Sequence, residues 1–274
     1  MKTNPLILVL ALAAAACQHP APATTETAAA AAAPPPAPTA PAATTDSLSS
    51  ATRVLLRRYD LAPLWANRDE GKAAKSAMEG FYGDKPYRIS FYFTSVERDA
   101  ARPNVFHVSG LDRYKKVITP FSGTITVRDI VLFTDSVYVD ADSTARAFTA
   151  VGRFVLREDA ATRGAGNYAG EALLDFYYDA HGHLSQAYYL DGDANPTKGC
   201  GLLFRGTQTS NQTGRRQPVA FAGFYGAVVP DALRHLGLGD RGDEVNPNLA
   251  RLGWNEAWEN EEWWAKSPKP SLSL

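Results

Sequence analysis

The sequence predicts a mainly β domain: an antiparallel meander β-barrel with a helix before it and a tryptophan-rich helical segment after it. A β-sandwich is the alternative. Three observations predict this class. From about Met78 onward, apolar residues recur with a period of two, enough for seven to nine strands. Short polar clusters rich in Gly, Asp and Asn separate the runs. Glycines at 110, 123, 152, 170 and 206 interrupt the runs, where a strongly coiled strand can bend at a barrel corner, and this favours the barrel.

The chain has 274 residues, 45% of them hydrophobic, which suffices for one large domain or two small ones. It carries 28 Lys plus Arg against 29 Asp plus Glu. A net charge so near zero gives no electrostatic footprint for nucleic acid, and no nucleic-acid partner is expected. The basic pairs Arg57-Arg58, Lys115-Lys116 and Arg215-Arg216 read as solvated strand ends and turns.

Residues 1–16 have the parts of a secretory signal peptide. Lys2 supplies a positive start, and Leu6 to Ala16 form an apolar stretch of eleven residues. That is too short to cross a hydrocarbon core of ~30 Å as a helix. Ala15 and Ala16 place small side chains before Cys17; Leu12 lies five residues before it, and Ala14 stands three before it. The stretch resembles a bacterial lipoprotein signal peptide with its lipobox, a family in which the cysteine is diacylated and becomes the new N-terminus. The resemblance implies lipidation at Cys17 and a membrane partner through that anchor. Gln18 in the following position implies the outer membrane of a Gram-negative cell. Each buried CH₂ contributes roughly 0.8 kcal/mol, so two or three acyl chains hold a folded domain stably.

Residues 17–47 continue as Ala, Pro and Thr with almost nothing to bury, a composition that stays extended. Pro34-Pro35-Pro36 adds local stiffness. The segment reads as a tether, and residues 48–274 as one β-rich domain.

Within that domain, Ser49 or Ser50 is placed to cap a helix on which Val54, Leu55, Arg58 and Tyr59 recur at helical spacing, with Pro63 as the stop. Strands follow over residues 78–226. Ile89, Phe91 and Phe93 share one face, as do Phe106 and Val108. Ile125 and Val127 alternate until the register slips near Asp129, as at a bulge. Phe148, Ala150, Phe154 and Leu156 then alternate, followed by Ala172, Leu174, Phe176 and Tyr178. The sequence GFYG occurs at 80–83 and again at 223–226; it reads either as coincidence or as a sign that first and last strands close on each other. The long meander with glycines at its bends and a preceding helix resembles calycin-type barrels, the group that includes lipocalins. That resemblance implies an interior or rim that holds a small ligand.

Residues 227–274 read as a helical and irregular cap. A short helix starts at Pro230 and ends near Gly237, and residues 240–253 read as a loop. Trp254, Trp258, Trp263 and Trp264 then crowd eleven residues. Their indoles are candidate contacts for a glycan; the other reading is a helix docked across one end of the barrel, completing its core.

Other constellations carry less chemistry. Asp191, Asp193 and Asn195 begin a calcium-loop spacing, but Pro196 stands where the loop needs Gly and Leu202 where it needs a bidentate Glu. His181 and His183 flank a tight turn at Gly182 and read as exposed turn residues rather than zinc ligands. With Cys17 acylated, Cys200 is a lone thiol, read as buried. Glu79, Glu97, Glu158 and Glu171 leave a glycosidase pair open without selecting one. No cofactor or metal is expected. The resulting expectation is a lipid-anchored envelope protein whose domain binds a small apolar or glycan ligand, or serves structurally, without catalysis. An envelope glycan hydrolase is the alternative.

Overall fold

A computed structural model describes residues 48–68, 77–140, 143–188, 190, 195–236, 238, 246–255 and 263–265, leaving aside the side chains of 134–140, 143–144 and 227. The chain divides into units 1–42 and 43–274, and the described residues all belong to the second. Cys17, Asp191, Asp193 and Trp258 lie outside the described residues.

The fold is mainly β. After α1 (Ser50–Arg58) and α2 (Ala62–Trp65) come β1 (Met78–Tyr82), β2 (Tyr87–Arg98), β3 (Val105–Tyr114) and β4 (Val117–Asp140). They are followed by β5 (Ser143–Glu158), β6 (Gly166–Tyr178), β7 (Leu184–Gln186), β8 (Leu202–Ser210) and β9 (Arg216–Ala222). All pair antiparallel in one nine-stranded sheet, and pairing of β5 with β6 closes eight of them into a ring, with β7 outside it. Closure removes the unpaired edges that an open sheet would expose.

The first strand pairs with the last: Gly80 lies opposite Phe221 and Tyr82 opposite Val219. The repeated GFYG thus marks the seam, although its second copy starts one residue past β9. A side chain at Gly80 would meet the Ala220 carbonyl oxygen at 2.0 Å. Gly170 and Gly206 face each other across β6 and β8, and a Cβ on either would lie 2.1 Å from a backbone oxygen of the partner strand.

The period of two sorts the residues as expected. Ile89, Phe91, Phe93, Phe106, Val108, Ile125 and Val127 are all buried in the ring's interior. Phe91 stacks on Phe221 at 3.8 Å between ring centroids, and Phe221 on Phe204 at 4.7 Å, so aromatic rings fill the section between them. The register of β4 against β5 shifts between Val127 and Asp129, the expected bulge.

The bulge is where α1 docks. Ser49 caps the helix, its side chain accepting from the Thr52 N–H. Thr52 Oγ1 donates to Asp129 Oδ1 (2.6 Å) and accepts from the Ile130 N–H (3.0 Å). The buried face of α1 is therefore Thr52 and Leu56, while Val54 is 61% exposed; the polar contact to the bulge, not the apolar count, sets the helix's rotation. Pro63 does not stop α1, which ends as Tyr59 turns extended; it opens α2, where its missing N–H costs nothing.

α2 delivers Trp65, fully buried, between Phe106 (6.0–6.4 Å range of centroids with its two ring neighbours) and Phe204. Together with Leu56, Leu61 and Leu64 it closes one end of the ring. Gln186 Nε2 donates to the Leu64 carbonyl (2.8 Å) and fixes α2 to β7.

The described C-terminal residues pack on the outer wall rather than across an end. Phe81, between inward Gly80 and Tyr82, points outward and packs with Trp254 (4.9 Å), Val229, Leu233 and Leu249. Here α3 (Asp231–Arg234) and α4 (Pro247–Ala250) are single turns. The second lies in the stretch read as loop, and Asn246 caps it by accepting from the Asn248 N–H. The Arg88 N–H donates to the Leu252 carbonyl (2.8 Å), while Arg88 itself makes a two-bond pair with Glu79.

Candidate functional site

The inward rows change character along the strands. On β3 the row Phe106, Val108, Gly110 continues to Asp112 and Tyr114; on β5 the row Phe154, Leu156 continues to Glu158. On β8 Leu202, Phe204 and Gly206 lead to Gln208, and β1 ends inward at Tyr82. From Phe106 to Asp112 is six residues of strand, roughly 20 Å. The end opposite Trp65 is accordingly polar, and it opens into a cavity of about 940 Å³.

Asp112 and Glu158 form its floor. They stand on strands that flank β4, with Thr119 opposite Asp112 in the ladder between them. Glu158 is surrounded by donors. Its Oε2 accepts from the Gly166 N–H (2.6 Å) and from Gln208 Nε2 (2.8 Å), and Tyr168 Oη reaches Oε1 at 3.3 Å. Tyr82 Oη donates to Gln208 Oε1 (2.7 Å), which fixes the amide's orientation. Asp112 is 1% exposed, and its Oδ2 meets no donor among the described residues.

Burial and the adjacent Glu158 charge push the Asp112 carboxyl well above the usual carboxylate range. Burial also raises Glu158, against the donors of Gln208 and Gly166 that favour its anion. Burial thus favours the neutral form most strongly at Asp112, while the donors around Glu158 favour its anion. The same burial pushes Tyr82 up to about 12 and Tyr168 well above its ordinary value, so both phenols stay neutral donors.

The wall above the floor is aromatic. Tyr82 and Tyr114 lie 4.8 Å apart and Tyr87 packs edge-on to Tyr114. The rim is basic, with Lys85, Lys115, Arg163, Arg215 and Arg251 against Asp84. Lys115 Nζ sits 5.1 Å over the Tyr87 ring and 5.2 Å over Tyr114. Lys115 and Lys116 both take positive φ (48° and 68°), making the tight β3–β4 turn that carries this cation to the rim.

The residues singled out by sequence lie elsewhere. Trp254 is fully buried against Phe81 and Tyr225, and Trp263 is buried. Trp264 stacks on outward-facing Tyr92 at 4.9 Å and 10°. Asn195 is buried: its Nδ2 donates to Asp175 (3.2 Å) and the Leu190 carbonyl (3.1 Å), and its Oδ1 accepts from Thr197. It belongs to a knot in which Thr149 also donates to Asp175 (2.6 Å), pinning the loop after β7. No group of three metal-binding side chains occurs among the described residues.

His181 and His183 are exposed at their turn, where His183 Nδ1 lies 3.1 Å from Asp179 Oδ2. Cys200 is buried, and burial pushes its thiol up to about 12, which keeps it an unreactive thiol. Glu79 is held by Arg88, Glu171 pairs with Arg205 on the surface (2.8 Å), and Glu97 is exposed. Of the four glutamates considered from sequence, only Glu158 lines the mouth, and its partner Asp112 carried no motif. The available signal was phase: both continue rows of inward apolar residues. No family model, curated protein or solved structure matches the chain.

Proposed function

We propose that this chain is a lipid-anchored envelope protein, held at the outer membrane through Cys17, whose ring is a calycin-like barrel that binds a small polar ligand without catalysis. The mouth carries this reading. A cavity of about 940 Å³ with an aromatic wall, a fixed hydrogen-bonding floor and a cationic rim has the size and mixed lining of a small-molecule site. A glycan or other hydroxylated, charged molecule fits that lining better than an apolar one.

The hydrolase alternative fits less well. Glycosidases hold their two carboxyl groups ~5–5.5 Å apart when retaining and ~6.5–9.5 Å apart when inverting, leaving space for sugar or water. Asp112 is 1% and Glu158 9% exposed, and Glu158 already accepts from the Gly166 N–H and from Gln208, so neither carboxyl stands open to a sugar and a water.

The test is mass spectrometry of protein extracted intact from its native envelope. The reading expects an N-terminus at Cys17 carrying acyl chains, and a co-purifying small molecule that Glu158→Gln releases. A product cut elsewhere without lipid removes the anchor; a ligand retained unchanged by Glu158→Gln removes the mouth.

A further inference from the structure

The mouth is polarised along its depth. Its floor is a pair of carboxyl groups, with one oxygen, Asp112 Oδ2, buried and without a donor among the described residues. Its rim carries Lys85, Arg163, Arg215 and Arg251. Between them stand Tyr82, Tyr87 and Tyr114, whose ring faces accept cations, as the position of Lys115 over two of them demonstrates. A neutral ligand uses neither end fully. A simple anion meets the rim but is repelled by the floor, and a simple cation meets the floor but has to pass the rim.

Resting on the reading of this mouth as a binding site, we propose that its ligand is a small zwitterion, with an ammonium group on the Asp112–Glu158 pair and an anionic group at the basic rim. An ammonium N–H supplies the donor that Asp112 Oδ2 lacks, and a second N–H reaches Glu158 beside it. Burial favours the neutral form of Asp112 and a bound ammonium favours its anion, so as the ammonium seats, the carboxyl gives its proton to solvent. The other groups facing the pair are Tyr168 on β6 and Tyr82 on β1, whose phenols burial keeps neutral, with Tyr114 on β3 and the uncharged Thr119 and Gln208. None of them supplies the released proton.

Three matched probes separate the terms: glucosamine 6-phosphate, glucose 6-phosphate, which lacks the ammonium, and glucosamine, which lacks the phosphate. Titration calorimetry of the wild-type protein at pH 6, where the amine is already charged, is run in buffers of different ionisation enthalpy. Glucosamine 6-phosphate is expected to bind at least tenfold more tightly than either analogue. It is also expected to release about one more proton than glucose 6-phosphate, the phosphate being common to both. Asp112→Asn should reduce its affinity roughly 10–100-fold, the range for a charge-assisted hydrogen bond, and narrow its advantage over glucose 6-phosphate. Equal affinity of the two phosphates, or equal proton release, overturns the zwitterion and leaves the binding site standing. Failure of all three to bind at millimolar concentration overturns the zwitterion and the binding reading together. The wild-type comparison needs no variant, so a poorly folded Asp112→Asn protein does not decide the outcome.

Discussion

Removing Trp65 tests how the ring is closed. The indole is fully buried, packs at 6.4 Å from Phe106 and 6.0 Å from Phe204, and seals the end opposite the mouth. Trp65→Ala leaves a cavity that neighbours on rigid strands cannot fill, which typically costs about 3–5 kcal/mol. The loss includes two aromatic contacts, each contributing about 0.5–1.5 kcal/mol beyond area burial. One term opposes it. The indole Nε1 is buried with no hydrogen-bond partner among the described residues, a penalty of about 1–3 kcal/mol that disappears with the side chain. Trp65→Phe removes the same penalty but keeps most of the packing, so its net effect should lie within about 1 kcal/mol of wild type. Urea unfolding followed by far-ultraviolet circular dichroism gives both numbers, and the alanine variant, at a net loss of about 2 kcal/mol, should melt roughly 4–8 °C lower. An alanine variant less than 1 kcal/mol below wild type, or a phenylalanine variant as damaged as the alanine one, refutes Trp65 as the seal.

Other consequences follow from named contacts. Because burial raises both carboxyls, and the Glu158 charge raises Asp112 further, the folded state holds a proton more readily than the unfolded chain. This contribution is fully present below the unfolded carboxylate range and is lost as pH rises through the pair's folded titration; Asp112→Asn should flatten that fall in the urea midpoint. Gly206→Ala puts a methyl 2.1 Å from the Ala169 oxygen and should cost about 1–3 kcal/mol, read by thermal melting. Thr52→Val deprives Asp129 and the Ile130 N–H of a partner and should cost about 1–2 kcal/mol, with faster amide exchange confined to α1 and the bulge. The Cys200 thiol should resist iodoacetamide at pH 8 until the chain unfolds, and rapid labelling of the native protein would show that the site is open.

Much of the strand layout was legible because a period of two survives wherever one face is buried and the other is not. Ile89, Phe91 and Phe93 needed no partner to be assigned, and the break in alternation at Asp129 announced the bulge. Single-turn elements were not legible: α4 shows only as an Asn-Pro step, and the Lys115-Lys116 turn lacks the usual Asn or Gly. Val54 misled because the helix's orientation is fixed by Thr52, whose value depends on a bulge some 78 residues away in sequence. The site was hidden for the same reason. Asp112 and Glu158 meet only because the ring curves around β4, and no local spacing encodes that register. The tryptophans drew attention by abundance, yet Trp254 and Trp264 cover outward aromatics that a closed ring leaves exposed, Phe81 and Tyr92.

The central claim is that the ligand enters the mouth. The twelve tyrosines permit a direct test by fluorine NMR of protein labelled with 3-fluorotyrosine, each resonance assigned by a Tyr→Phe variant. Small molecules extracted from the native envelope should shift Tyr82, Tyr87, Tyr114 and Tyr168 and leave Tyr92 and Tyr225 unchanged. Shifts at Tyr92 and Tyr225, beside Trp264 and Trp254, with the mouth tyrosines silent, would contradict the account.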